Sequence, residues 1–208
     1  MKIYEITGGS SYETQWAWAS GWRGPLDGPM PFLLQIELES KIAFWKVNPG
    51  PPGIHIDDTP AWAWPDFLSS GGAPPNYFVS RKVLESLLSE GIRYARATPI
   101  PVAVVNARRL KAVPPPEYFV LEAEQGIRFN FQAMGVPHDG HGKALVPASQ
   151  WPKARIFDAA SWNGLDLLAY PEVLFKGPNT ILHCTERLVE LAKRDGWTNV
   201  EFQWRHVE

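Results

Sequence analysis

The chain is expected to adopt an α+β fold, mainly antiparallel sheet with two equivalent capped helices. One observation is a repeated frame: Ser80 and Thr185 lie 105 positions apart, and so do Gly91 and Gly196. Ser and Thr accept hydrogen bonds from the free amides of a helix's first turn, and Gly tolerates the left-handed conformation that ends one. The other is that the remaining sequence reads as short strands broken by Gly and Pro, so strands outnumber helices. Each copy of the frame reads as strand, helix, strand. The repeat therefore points to two related lobes, about 1–110 and 111–208, within a single globular domain.

Residues 2–6 are the first candidate strand. In residues 32–38, Leu34, Ile36 and Leu38 alternate with Gln35, Glu37 and Glu39, and residues 42–47 can pair with them across Glu39-Ser40-Lys41. Pro49-Gly50-Pro51-Pro52-Gly53 stops regular structure, and residues 57–75 form an irregular passage carrying Trp62, Trp64 and Phe67. Residues 77–79 lead into a helix near 81–90, where Val83, Leu84, Leu87 and Leu88 share a face. Strands are expected at 92–97 and 101–105, followed by the extended spacer Pro114-Pro115-Pro116.

Residues 118–121 and 127–131 flank Gln125-Gly126 as an expected hairpin, with Ile127, Phe129 and Phe131 on one face. Residues 133–153 are rich in Gly, Pro and His and carry the weakest pattern. A short strand fits 155–157, while 165–169 suits helix or strand. The second helix, near 185–195, turns Leu188, Val189, Leu191 and Ala192 to one side. In the closing strand Val200, Phe202 and Trp204 alternate with Glu201, Gln203 and Arg205, the pattern of a half-buried strand.

Of the 208 residues, 45% are hydrophobic and 20% charged, which describes a folded globular chain. The formal charge of −2 supplies no basic field for nucleic acid or an anionic membrane. Cys184 is the only cysteine, so no intramolecular disulfide forms. The start, Met-Lys-Ile-Tyr-Glu-Ile, has no apolar leader, and no run approaches the roughly 18 apolar residues of a membrane span. A cytoplasmic location is expected.

The search for chemistry yields candidates with simpler readings beside them. His138-Asp139-Gly140-His141 could offer zinc ligands, but a catalytic zinc needs three well-placed ones, and an exposed polar turn fits better. Cys184 beside His183 suggests a thiolate–imidazole pair, yet neighbours on a strand point to opposite faces. There is no phosphate-binding glycine loop and no Gly-x-Ser-x-Gly elbow. No cofactor, metal or catalytic residue is therefore assigned. Asp57 and Asp58 could hold a divalent ion or serve as charge partners for a basic ligand, and a solvated acidic turn fits better. Trp16 with Trp18, and Trp62 with Trp64, either cap the core or stack on sugars or a protein partner.

Trp64-Pro65-Asp66-Phe67-Leu68, then Phe78-Val79-Ser80 opening a helix, then Glu117-Tyr118-Phe119-Val120-Leu121 form an ordered series. The ending from Ile181-Leu182-His183-Cys184-Thr185 to Gly196-Trp197-Thr198-Asn199-Val200-Glu201-Phe202 completes it. Over residues 60–204 the chain resembles a family of bacterial immunity proteins that accompany polymorphic toxins and type VI secretion effectors. The resemblance implies a non-enzymatic inhibitor that binds a cognate protein toxin in the cytoplasm of the producing cell. The contact expected for that partner is residues 56–64, with Asp57 and Asp58 as charges and Trp62 as anchor. Glu122 and Glu124 are expected to form a second acidic patch. An enzyme with catalytic groups dispersed in sequence and a Trp-based carbohydrate binder are the other two classes that the residues leave open.

Overall fold

The computed structural model describes residues 1–8, 19–23, 53–56, 63–69, 77–139, 143–169 and 182–208. The strands expected at 32–38 and 42–47 lie outside them. In chain order the early strands are β1 (Ile3–Gly8), β2 (Ala19–Arg23), β3 (Gly53–Ile56), β4 (Phe67–Ser69) and β5 (Tyr77–Ser80), and helix α1 spans Arg81–Ser89. There follow β6 (Arg96–Ile100), β7 (Val102–Val105), β8 (Tyr118–Glu122), β9 (Arg128–Phe129) and β10 (Ile156–Asp158). The chain closes with β11 (Leu167–Ala169), β12 (Leu182–Thr185), helix α2 (Glu186–Arg194) and β13 (Val200–Val207). The class is α+β with mainly antiparallel sheet, as the sequence implies.

Both helices begin and end where the repeated frame places them. Gly91 and Gly196 close them in the left-handed region, at φ 67° and 61°. Ile92 N–H then bonds to Leu87 O, and Trp197 N–H to Ala192 O, which are matching residues in the two copies. Val83, Leu84 and Leu87 are buried on α1, as are Leu188, Val189, Leu191 and Ala192 on α2. Leu88, expected on the same face, is 64% exposed. It sits at the margin of the apolar stripe, where α2 carries Lys193.

The caps differ from expectation in an informative way. Neither hydroxyl bonds to its own helix. Ser80 Oγ donates to Asp66 Oδ1 at 2.8 Å, and Thr185 Oγ1 to Asp166 Oδ1 at 2.5 Å. The other oxygens of these aspartates accept from Lys82 Nζ at 3.0 Å and Arg187 Nη1 at 2.7 Å, cations two residues past each cap. Each cation then reaches the far end of the other helix: Lys82 Nζ donates to Gly196 O at 3.0 Å and Arg187 Nη2 to Glu90 O at 2.5 Å. A cation is the favourable partner for helix-end carbonyls, so the two helices finish one another.

The repeat extends through the sheets. One has the order β4-β5-β8-β6 and the other β11-β12-β1-β13-β10-β9. Val79 faces Phe119 and Ile100 faces Tyr118 in the first; Cys184 faces Tyr4 and Arg205 faces Ile3 in the second. Val79 and Cys184, like Ile100 and Arg205, stand 105 positions apart, so the register continues from caps to closing strands. The part that β8 plays in the first unit falls to β1, the N-terminal strand, in the second. The first sheet thus extends past residue 110 to Glu122, and the second takes strands from both ends of the chain.

Two strand expectations are corrected. β8 and β9 do not form a hairpin: β8 lies between β5 and β6, while β9 pairs with β10. The chain at 125–126 passes from one sheet to the other instead of turning back. The strand expected from residue 92 starts at Arg96, because residues 92–95 are used in leaving α1. Ile127, Phe129 and Phe131 do share one buried cluster, and within 165–169 the strand β11 takes up Leu167–Ala169.

Among the described residues, buried apolar side chains form three clusters. One, including Val83, Leu87, Leu188 and Trp197, lies between the helices and both sheets. A second, with Ile54, Phe78, Leu110 and Val120, backs the first sheet, where the small β2-β3-β7 sheet contributes. The third, with Ile3, Phe129, Trp151 and Phe157, backs the second sheet.

Candidate functional site

α2 covers β12 and leaves a groove of about 560 Å³ over β1 and β13. Its position follows from the helix's amphipathic division. Leu188, Leu191 and Ala192 turn into the core, while Glu186, Glu190 and Lys193 are exposed. Tyr4, Val189, Trp197 and Phe202 give the groove an apolar lining. Val189 and Trp197 are buried, whereas Tyr4 and Phe202 are half-buried.

Glu186, Glu190 and Glu201 line the same groove, with Lys193 as the opposing charge. Lys2 Nζ lies 2.6 Å from Glu186 Oε1, and that hydrogen bond raises the lysine pKa. The acidic side of the groove therefore accepts an ammonium group within the molecule itself. A concave apolar surface with surplus carboxylates is chemically suited to a segment that presents cations around an apolar side chain.

The residues singled out from sequence are distributed elsewhere. Asp57, Asp58 and Trp62 lie outside the described residues, as do Trp16, Trp18 and His141. Glu122 and Glu124 do not form a joint patch. Glu122 is 6% exposed and accepts from Arg96 Nε at 3.2 Å and Nη2 at 3.0 Å, so its charge is engaged inside the first sheet. Glu124, just beyond β8, is exposed.

His138 Nδ1 is 3.0 Å from Val136 O, and Asp139 Oδ1 accepts from Lys143 N–H at 2.8 Å, both local turn contacts. Among the described residues no group of His, Cys, Asp and Glu is arranged to hold a metal ion. Cys184 is fully buried, and that burial, with Asp166 nearby, pushes its thiol pKa far up. It belongs to the core between the helices, whereas His183 lies edge-on to Phe157 behind the sheet. Trp64 caps the second cluster, its Nε1–H donating to Val113 O at 2.9 Å.

In sequence the groove residues stand out only as parts of a helix face and of the closing strand, not as a site. Glu186 and Glu190 are one helical turn apart, a visible signal. Glu201 joins them only through the packing of β13 beside α2. Among the described residues no helix is long and apolar enough to cross a membrane. Comparison with protein-family models and with curated protein sequences finds no match to this chain.

Proposed function

We propose that this protein is an immunity protein that neutralises a cognate bacterial toxin by forming a stable complex with it, without catalysis, in the cytoplasm of the cell that makes it. The observation that carries this reading is the groove between α2 and β13, with its apolar lining and three carboxylates. The ordered motifs of residues 60–204 support the same reading. The groove's chemistry favours a basic toxin segment with an apolar tip: the tip enters between Tyr4, Trp197 and Phe202, and its cations meet Glu186, Glu190 and Glu201. Interfaces of this kind depend on a few desolvated anchors more than on area. Asp57, Asp58 and Trp62 are a second proposed contact on the same toxin.

The test is growth of cells that co-express a candidate toxin from a gene neighbouring the one for this chain. Wild type should protect, and the folded variant Glu186→Lys/Glu190→Lys/Glu201→Lys should not. A folded Asp57→Ala/Asp58→Ala/Trp62→Ala variant examines the second contact separately. Protection by the charge-reversed variant rejects the groove. Death with well-expressed wild type rejects immunity against that toxin.

A further inference from the structure

The chemistry that suits the α2 groove, cations set around an apolar side chain, also occurs on the surface of this chain. Arg108, Arg109 and Lys111 follow β7 and are all exposed. Among the described residues none of the three forms an ion pair. Val113 comes next, 44% exposed, and Pro114 and Pro115 beside it are exposed as well. Three unpaired cations thus flank a short apolar strip.

The local structure holds this display in place. Ala107 and Leu110 are buried in the cluster that backs the first sheet, and a single tight turn spans Leu110–Ala112. Leu110 N–H and Lys111 N–H bond to Ala107 O at 3.1 and 3.3 Å, and Val113 N–H to Leu110 O at 3.0 Å. Val113 O accepts from Trp64 Nε1–H at 2.9 Å, and Pro114, Pro115 and Pro116 stiffen the chain beyond it. A turn already fixed in shape loses little freedom on docking.

The groove offers the complement. Lys2 engages Glu186, but Glu190 and Glu201 form no ion pair among the described residues, and they outnumber Lys193. Tyr4, Trp197 and Phe202 supply the apolar lining. The two surfaces do not meet within one chain. The turn packs behind the first sheet, whereas the groove lies beside α2 on the second, and no residue of the turn lines it. A contact between them therefore joins two chains head to tail, through a different patch on each partner.

We infer that the α2 groove is a self-association site for a second copy of this chain. The second copy seats Val113 between Tyr4, Trp197 and Phe202, with Arg108, Arg109 and Lys111 against Glu190 and Glu201. Opposite charges select the partner surface, and the apolar strip is desolvated between them. The inference uses the same groove as the proposed toxin contact but does not rest on that reading; a second copy and a toxin exclude one another there.

Sedimentation velocity on the whole protein tests it. At about 50 mM salt the mean mass should rise about twofold or more as the protein reaches about 100 µM, and at about 500 mM salt it should return to that of one chain, because screening weakens the charge contacts. Glu190→Gln/Glu201→Gln, which leaves the Lys2–Glu186 pair in place, should abolish association. Arg108→Ala/Arg109→Ala/Lys111→Ala should do the same, and circular dichroism checks that both variants are folded. Mixed in equal amounts, the two variants should form a one-to-one complex and nothing larger, because each pair of chains then holds one intact groove and one intact turn. Wild type that remains a single chain at low salt overturns the inference, even where the groove takes a candidate toxin, an outcome that leaves the functional reading standing. Association that survives either variant or high salt, or folded variants that fail to combine, also overturns it.

Discussion

Asp66 is a buried carboxylate that organises three separate parts of the chain. It accepts from Ser80 Oγ, Lys82 Nζ, Thr198 N–H and Thr198 Oγ1 at 2.8–3.2 Å, and is only 8% exposed. Asp66→Ala would leave an amide and two hydroxyls needing new partners, at a cost of about 2–4 kcal/mol. Asp166→Ala should cost less, because Asp166 is more exposed and receives fewer hydrogen bonds from side chains. Urea unfolding followed by circular dichroism measures both, and equal losses would contradict this ranking. The cap hydroxyls were legible in sequence, but their acceptors were not. Ser80 and Asp66 are 14 residues apart, and only strand pairing brings them together.

Cys184 gives the residue scale a pH signature. Burial, followed by the Asp166 charge, raises its thiol pKa in the folded state. The unfolded thiol ionises near about 8.5, so the unfolded chain loses that proton first. The associated stability is fully present below that pH and is lost as pH rises towards the folded value. The slope approaches about 1.4 kcal/mol per pH unit. Tyr118, raised by burial and then by Asp66, adds a similar decline at higher pH. Cys184→Ala should flatten the stability curve between pH 8.5 and 10 relative to wild type. An unchanged curve would contradict a buried neutral thiol.

Elements were most legible where their signals were local. A hydroxyl residue at the start, an apolar stripe and a glycine stop mark α1 and α2 within a dozen residues each, and their common spacing revealed the repeat. The expected hairpin failed because its turn residues are local but its partners are not. Gly126 shows the physical reason. It lies on the passage between sheets, bonded through its carbonyl to Asn163 N–H at 3.0 Å. A Cβ there would come within 2.2 Å of Leu168 Cδ2 and 2.9 Å of Asn163 Oδ1. The glycine permits close approach to β11 and is not the corner of a hairpin. Gly126→Ala should therefore destabilise by about 1–3 kcal/mol through overpacking, as measured by thermal or urea unfolding. A neutral effect would show that Leu168 can move aside.

For the whole molecule, the important consequence is that the second unit is completed by the chain's N-terminal strand. β1 pairs with β12 on one side and β13 on the other, and it supplies Ile3 and Ile6 to two cores. Removing residues 1–8 should abolish cooperative unfolding rather than trim a frayed end, because two strand edges and two cores open together. A sharp near-native transition in the truncated chain would contradict that role. This closure was not legible in sequence, since β1 carries none of the repeated cap-to-stop frame. The groove was equally hidden: a formal charge of −2 for the chain gives no sign that Glu186, Glu190 and Glu201 share one concave surface.

The groove is also where the proposed function meets direct measurement. Calorimetric titration of this protein with a purified candidate toxin from a neighbouring gene, in an inactivated form, at low and high salt, addresses the central claim. A one-to-one complex with Kd below about 1 µM is expected, weaker at high salt and at least about tenfold weaker for Glu186→Lys/Glu190→Lys/Glu201→Lys. No complex with the folded wild-type protein, or an affinity indifferent to those three carboxylates, would contradict it.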